Sequence, residues 1–302
     1  MDRFRELAAF VAVAEEGAFN AAARRLGSSP PAVTRLITGL EARLGVRLLT
    51  RTTRKVTPTE AGQRLREDAQ RILADLEEAE STVAGSQATP SGHLRVTAPV
   101  LFGQRFVAPV LRAFLDAYPA VTARALFLDR NVSLLDEGLD VALRIGDLPD
   151  SSLIARRVGA VRRVVVAAPA YLNRHGIPAA PAALRDHRVI FPASVDDAPV
   201  WTFVQDSRQQ GLRLDPALTV NTMQAAIDTA LEGWGVTRAL SYQVADALAA
   251  GQLVELLAGQ DEAEMPIHLL HAEGRRAAAK IRSFIDFAAA RLHGEGDRLL
   301  AR

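Results

Sequence analysis

Between Asn20 and Val56 the chain gathers eight bases, Arg24, Arg25, Arg35, Arg43, Arg47, Arg51, Arg54 and Lys55, against one acid, Glu41. Such a strip suits a phosphate backbone, because every phosphate neutralised by a cationic side chain releases condensed counterions. It is equally the solvated surface of an ordinary helical hairpin. Catalytic chemistry is poorly represented. The six histidines, His93, His175, His187, His268, His271 and His293, are scattered. His268 and His271 fall in one expected strand, where residues three apart face opposite ways and share a metal poorly. With no cysteine there are no disulfides, thiolate nucleophiles or thiolate zinc sites. No nucleophile elbow, Walker loop or dinucleotide fingerprint occurs. We therefore assign no catalytic residue, no metal site and no cofactor.

The elements that position the basic strip favour nucleic acid over a bland surface. Asn20 can cap a helix through Leu26 that Gly27 ends. Ser29 can cap the next, with Pro30 at its first position, where no N–H is missed, and Pro31 still inside the first turn. Val33, Leu36, Ile37, Leu40 and Leu44 then share one helical face, and Ala32, Thr34, Arg35, Thr38 and Arg43 the opposite one. Gly45 closes the helix, and residues 46–49 alternate into a strand leading to Arg51, Thr52, Thr53, Arg54 and Lys55. A capped helix pair followed by a basic hairpin is the layout of a winged helix-turn-helix. The DNA-facing candidates are Ser29, Pro30, Pro31, Thr34, Arg35 and Thr38 on the second helix, and Arg51, Thr53, Arg54 and Lys55 on the wing.

A preceding helix, 2–16, offers Phe4, Leu7, Ala8, Val11 and Ala14 as a supporting stripe. After the wing, Thr59 can cap a long helix to about Ser86. In it Leu65, Ala69, Ile72, Leu76, Ala79 and Val83 recur at alternating steps of four and three, an a/d seam for dimerisation. The alternative is one amphipathic helix lying on its own domain. Gly85, Ser86, Pro90, Ser91 and Gly92 then break the pattern and mark a domain boundary.

The body alternates strand and helix. The first round has strand 93–97, helix 103–117, strand 121–128, a short helix near Leu134 and strand 140–145. The second has strand 163–167, a helix from Ala170 ended by Gly176, strand 189–191, helix 222–231, strand 236–240, helix 242–250 and strand 253–257. This grammar predicts parallel strands covered by helices on both faces. Strand 267–271 and a last helix carrying Ile281, Phe284, Ile285, Ala288 and Leu292 complete whichever half lacks them. Ligands of open α/β sheets lie beyond the carboxyl ends of strands, where helix N-termini favour anions. That selects Ala98, Pro99, Val100 and Leu101, then Asp129 and Arg130, then Arg144, and in the second half Trp201, Asn221, Thr222 and Arg238. Arg144 has a second reading as a charge at a strand edge, and Trp201 as a core aromatic.

Length 302, 49% hydrophobic and 24% charged residues suit two or three globular units. No apolar run is long enough to span a membrane, and the N-terminus lacks a signal-peptide layout, so a cytoplasmic protein is expected. Residues 1–57 hold ten bases and five acids, a net +5, leaving −4 for the remainder of a chain whose total is +1. A basic head on a mildly acidic body fits a DNA-binding domain attached to a sensor.

The segment AAARRLGSSPPAVTRLITGLEARLGVRLLTRTTRKVTPTEAG resembles the N-terminal domain of the LysR-type transcriptional regulators. The likeness rests on residues 21–27, 31–33 and 40–48, Arg51 and residues 59–62. Where that family usually has glutamine at the start of the recognition helix this chain has Pro30, which cannot hydrogen-bond a base edge. GHLRVTAP, DVALRIG, VAAPAYL and residues 233–241 look like one large subgroup of the family. At 236–241 the usual apolar run with a proline is replaced by VTRALS, putting Arg238 where an aliphatic residue is common.

The resemblance implies an α/β protein with an α-rich head. A winged helix-turn-helix (1–58) and a dimerising linker helix (59–88) precede a sensor (89–302) of periplasmic-binding-protein type. Its subdomains are I (93–162 and 267–302) and II (163–266), joined by crossing strands near 162–166 and 266–270. It also implies an effector pocket at the turn of Pro99, the turn after Leu128 and the helix start at Asn221 and Thr222. The expected partners are a double-stranded operator, a small anionic organic effector and further copies of the chain, as dimer or tetramer. The competing readings are a solute-binding or enzymatic α/β protein with a helical appendage, and a DNA architectural protein without effector.

Overall fold

The computed structural model describes the chain apart from Met1 and residues 52–55, 84–88, 131, 135, 149–151, 194–197, 206–207, 261–262, 273–277 and 301–302. Side chains at 51, 67, 71, 74–75, 77–83, 205 and 297 are likewise outside the description. Two compact units emerge, Met1–Ala88 and Thr89–Arg302.

In the first unit, α1 (Arg3–Glu16) starts at Asp2, whose carboxylate accepts from the N–H groups of Phe4 and Arg5, and ends at Gly17 with φ 66°. Its buried surface is wider than one stripe. Ala9, Phe10, Ala12 and Val13 are buried beside Val11 and Ala14, while Phe4 is 44% exposed and Leu7 and Ala8 only half-buried. The cause is enclosure, since α2, α3, α4 and the wing all pack against this helix. Helix α2 (Phe19–Arg25) begins earlier than expected. Ala18 occupies the cap position without a side-chain bond, Phe19 packs on the head's core, and Asn20 is an exposed first-turn residue that caps nothing.

Helix α3 (Pro30–Leu44) starts as its sequence dictates, with the Ser29 hydroxyl accepting from Ala32 N–H at 3.4 Å, and ends at Gly45 with φ 69°. Val33, Ile37 and Leu40 are fully buried and Leu36 partly, but Leu44 at the C-terminal end is 43% exposed. The wing strand forms only at β1 (Leu49–Arg51), later than the alternation of 46–49 implied, and pairs antiparallel with β2 (Val56–Pro58). Glu41 sets that start, because its Oε1 accepts from the N–H groups of Leu48 (2.8 Å) and Leu49 (3.1 Å). Helix α4 (Glu60–Val83) follows. The Thr59 hydroxyl accepts from Gly62 N–H at 3.0 Å and donates to the Arg47 carbonyl at 2.9 Å.

The second unit holds two mixed five-stranded sheets. In the first, β3 (Gly92–Ala98) runs parallel to β4 (Val121–Phe127) and β5 (Val141–Ile145). Its other two strands, β6 (Ile154–Val161) and the late strand β14 (Met265–His271), pair antiparallel to each other, and β14 pairs antiparallel to β5. The second sheet begins with β7 (Arg163–Ala167) and β8 (Val189–Pro192). A separate hairpin, β9 (Val200–Gln205) with β10 (Arg208–Arg213), precedes β11 (Leu218–Val220), β12 (Val236–Leu240) and β13 (Val254–Leu256). Strands β11, β8 and β12 are parallel, and β7 lies antiparallel between β12 and β13. Each sheet is therefore half parallel, not wholly so.

Between β3 and β4 lie α5 (Val100–Phe102), a π-helical turn Gly103–Val107 and α6 (Ala108–Ala117). The second subdomain carries α7 (Pro169–His175), a 3-10 turn Pro181–Asp186, α8 (Met223–Leu231) and α9 (Ser241–Ala249). Helix α10 (Ala279–His293) buries Ile281, Phe284, Ile285, Ala288 and Leu292 in the first sheet's core, and α11 (Gly296–Leu300) follows. The segment at Leu134 is a turn, not a helix, because Leu134 is pinned against Ala142 and Leu270. Strand β6, the hairpin, β11 and α11 are additions to the sequence reading. The chain crosses between sheets at Arg162 and again over 257–264. Arg162 opens the expected crossing 162–166, of which residues 163–166 already lie in the second sheet, and the expected 266–270 lies in the first sheet just after the second passage.

Gly62 is the tightest point of the head, since a Cβ there would sit 2.0 Å from the Leu48 carbonyl oxygen. Because backbone cannot yield as a flexible side chain does, Gly62→Ala should destabilise the head by about 2 kcal/mol. Thermal melts followed by circular dichroism should show this, and a melt unchanged from the parent would mean the contact relaxes freely.

Candidate nucleic-acid interface and ligand site

Helix α3 turns Arg35 and Thr38 to solvent, and among the described residues no carboxylate pairs with Arg35. Pro30 and Pro31 are exposed at its start. Thr34 is half-buried and its hydroxyl donates to the Pro30 carbonyl at 2.9 Å, so its proton is committed and it offers a methyl group and lone pairs. Ser29 spends its oxygen on the cap.

The basic strip divides in a way that composition does not show. Arg25 donates to Glu15 at 2.6 Å and Glu16 at 3.4 Å, and the Glu15 hydrogen bond raises its pKa. Arg43 donates through Nη2 (2.6 Å) and Nε (3.2 Å) to Oε2 of Glu6, which is 1% exposed. Arg43 thus ties the last turn of α3 to the first turn of α1 instead of joining the reading face. Burial of Glu6 makes that pairing obligatory, because an unpaired buried carboxylate is costly. Arg24, Arg35 and Arg47 stay exposed. The Arg51 side chain and Thr53, Arg54 and Lys55 lie outside the described residues.

The helix seam also divides. Leu65 packs on the head's own core and Ala69 is fully buried, while Gln70 donates to Glu15 of α1 at 2.5 Å. For that stretch the helix lies on its own domain. Ile72 is 40% exposed and Leu76 half-buried, and the side chains of Ala79 and Val83 lie outside the description.

In the second unit, the turn after β3 is already engaged. Ala98 is buried and its carbonyl accepts from Leu128 N–H, and the Pro99 carbonyl accepts from Gly103 N–H. The N–H of Val100, expected to meet a ligand anion, donates to Oδ1 of Asp129 at 2.9 Å. Leu101 packs against the cores of both sheets. Arg130 pairs with Glu137 at 3.0 Å. Arg144 donates to the carbonyls of Arg130 (3.4 Å) and Val132 (3.0 Å), and burial lowers its pKa, so it staples the turn after β4.

Asn221 and Thr222 are exposed, with the Thr222 hydroxyl accepting from Ala225 N–H at 3.3 Å to cap α8. Trp201 is 3% exposed and packs in the second subdomain's core with Phe203 and Leu212. Arg238, 8% exposed, donates to the Thr202 carbonyl at 2.8 Å and lies 5.3 Å from the Phe203 ring centre, holding the β9–β10 hairpin to the sheet. Neither is presented as a ligand contact. Unforeseen by the sequence was Tyr242. It is the second residue of α9, beside the second sheet, yet is buried in the first subdomain's core, its ring 5.1 Å from Phe102 and 5.8 Å from Phe106. Burial raises its pKa, and its hydroxyl accepts from Gln243 Nε2 at 3.3 Å. Among the described residues no group of three or more His, Asp or Glu side chains could hold a metal ion.

A helix-turn-helix with a two-stranded wing, followed by paired α/β subdomains with a double crossing, is an architecture shared by DNA-binding regulators that carry a separate sensor module. Comparison with known proteins agrees. Residues 4–63 match the family described as bacterial regulatory helix-turn-helix protein, lysR family, and residues 87–293 match the LysR substrate binding domain. The chain belongs to the LysR family of DNA-binding transcriptional regulators. It is 36% identical over 295 residues to the HTH-type transcriptional regulator PtxR of Pseudomonas aeruginosa, covering 97% of this chain and 94% of that relative. An HTH-type transcriptional regulator of Xanthomonas campestris is 35% identical over 297 residues, covering 97% and 86%. The solved structure of CrgA, a LysR-type transcriptional regulator from Neisseria meningitidis, superposes with TM-score 0.62 at 30% identity, covering 95% of this chain and 98% of the other. No described helix is long and apolar enough to cross a membrane.

The two arginines of α3 should separate cleanly in stability. Arg43→Ala strands the Glu6 carboxylate and should cost the head about 2 to 3 kcal/mol, whereas Arg35→Ala should leave the urea midpoint unmoved. Equal midpoints for both variants would show that the Glu6–Arg43 pair holds nothing.

Proposed function

We propose that this regulator reads a double-stranded operator through α3. Ser29, Pro30, Pro31, Thr34, Arg35 and Thr38 enter the major groove, and Arg51, Thr53, Arg54 and Lys55 of the wing contact backbone and minor groove. The observation that carries this reading is Arg35, an exposed guanidinium on the outward face of a helix fixed at one end by Ser29 and at the other by Glu6. Arginine is the side chain best suited to bind guanine O6 and N7 together. With Pro30 lacking a donor and the Thr34 proton spent on the backbone, the first turn supplies apolar contact and Arg35 supplies the hydrogen-bonded readout.

A small organic effector is bound by the second unit near Pro99, Asp129, Asn221 and Thr222, and its binding modulates operator occupancy. Were it an anion, as helix starts favour, it would take the Val100 N–H by displacing the exposed Asp129 carboxylate. The protein acts in the cytoplasm as a dimer or tetramer, paired through the outward part of α4 from Ile72 onward. Support for that pairing is the exposure of Ile72 on a helix whose earlier seam positions are partly (Leu65) or fully (Ala69) buried.

Binding to the DNA upstream of the protein's own gene, compared with random duplex across a salt series, tests the reading. Arg35→Ala should cost about 1 to 3 kcal/mol on a specific site and little on random DNA. Arg54→Ala should weaken both and reduce the salt slope. Identical losses on both duplexes from both changes would refute this division of roles. Ile72→Asp places a carboxylate in the proposed seam, and sedimentation velocity should then show dissociated species. An assembly indistinguishable from the parent would move the interface off α4.

A further inference from the structure

We infer that the C-terminal turn of helix, α11, is a clasp that fixes the angle between the two subdomains of the second unit. This goes beyond the effector reading and does not depend on the effector's identity.

The sheets are joined covalently only at Arg162 and over 257–264, and two adjacent passages of backbone act as a hinge unless side chains brace them. The bracing converges on Arg162 and Ser241. The Arg162 N–H donates to the Ser241 hydroxyl oxygen at 3.1 Å, and the Arg162 carbonyl accepts from Ser241 N–H at 2.8 Å. The guanidinium grips both oxygens of Glu255 on β13, one of them at 2.7 Å. These bonds belong to the crossing and the second sheet. Two others reach α11: Arg162 Nε donates to the Leu300 carbonyl at 3.1 Å, and the Ser241 hydroxyl donates to the Leu299 carbonyl at 2.5 Å.

Helix α11 is anchored in the opposite subdomain. Leu299 is buried in the first sheet's core, close enough to Gly159 that a Cβ there would sit 3.0 Å from its Cδ1. The helix packs on β6 of the first sheet and on α9, which leaves the second. A swing of the subdomains about Arg162 must therefore break the bonds from Arg162 and Ser241 to residues 299 and 300, or pull Leu299 from its core. A second brace lies alongside. Arg105 donates to the Tyr242 carbonyl at 2.8 Å and pairs with Asp246 at 2.5 Å, and the Tyr242 ring packs edge-on against the touching pair Phe102 and Phe106. Arg105 belongs to the π-helical turn. Gly103 opens that turn because a Cβ there would lie 2.3 Å from the Phe127 ring.

The absence of cysteine makes the angle measurable in the full chain. Arg124→Cys on β4 and Thr219→Cys on β11, both exposed, place one spin label on each subdomain. Pulsed electron spin resonance, with excess unlabelled protein to suppress contacts between copies, reads their separation. The intact clasp should give one narrow distance. Ser241→Ala should broaden it, and a chain ending at Glu295 should shift it to a second distance. Hydrogen exchange should meanwhile lose protection at Arg162 and Ser241 while β3 and β12 stay protected. An unchanged distance in the shortened chain overturns the inference. So does general loss of protection through the first sheet, which would make α11 part of that core's folding rather than a clasp.

Discussion

One residue, Arg162, lies between β6 of the first sheet and β7, the first strand of the second. With so short a passage, neither subdomain can be placed without the other, and the geometry of the ligand-binding unit comes down to what holds that residue. Its backbone is paired to Ser241 in both directions and its side chain to Glu255 and the Leu300 carbonyl. Charge-assisted bonds of this kind are directional and stronger than neutral ones, which suits a joint that must define an angle and not merely a contact. The same joint draws Tyr242 out of its own subdomain and into the aromatic cluster of the other.

The head follows a similar rule with acids in the controlling positions. Glu6 fixes the end of α3 through Arg43, Glu41 fixes the start of the wing through two backbone N–H groups, and Glu15 gathers Arg25 and Gln70. The few carboxylates in a basic domain are thus spent on internal order. Among the described residues, cations without such carboxylate partners, Arg35 foremost, are the ones available to a polyanion. Charge counting treats every base alike, whereas the fold sorts them into braces and readers.

Asp129 brings the same economy to the ligand-binding unit. Its carboxylate sits at the N-terminal end of α5, where the partial positive charge of the first turn would otherwise attract an external anion. Arg144, which could have added charge to such a site, is turned onto the carbonyls of the loop after β4. The polar inventory of this face is therefore internally satisfied to a degree that strand-end residue types alone do not reveal.

Local chemistry was legible in the sequence because its determinants are neighbours along the chain. Ser29 before Pro30 set the start of α3, Gly45 its end, Thr59 the start of α4, and apolar spacing located Val33, Ile37 and Leu40 as core. The family likeness added the two-subdomain plan and the crossing at Arg162. What tertiary structure alone decided involves partners far apart in sequence, such as Glu6 with Arg43 and Arg162 with Glu255 and Leu300. The strand-end rule for open α/β sheets gave Trp201 and Arg238 as candidate ligand contacts, and the packing of the β9–β10 hairpin against β12 made them interior residues. Periodicity gave one seam along α4, but Leu65 packs on the head's own core and Ala69 is already buried within the chain. A repeat in sequence states which residues share a face, but which surface covers that face depends on contacts that no local pattern encodes.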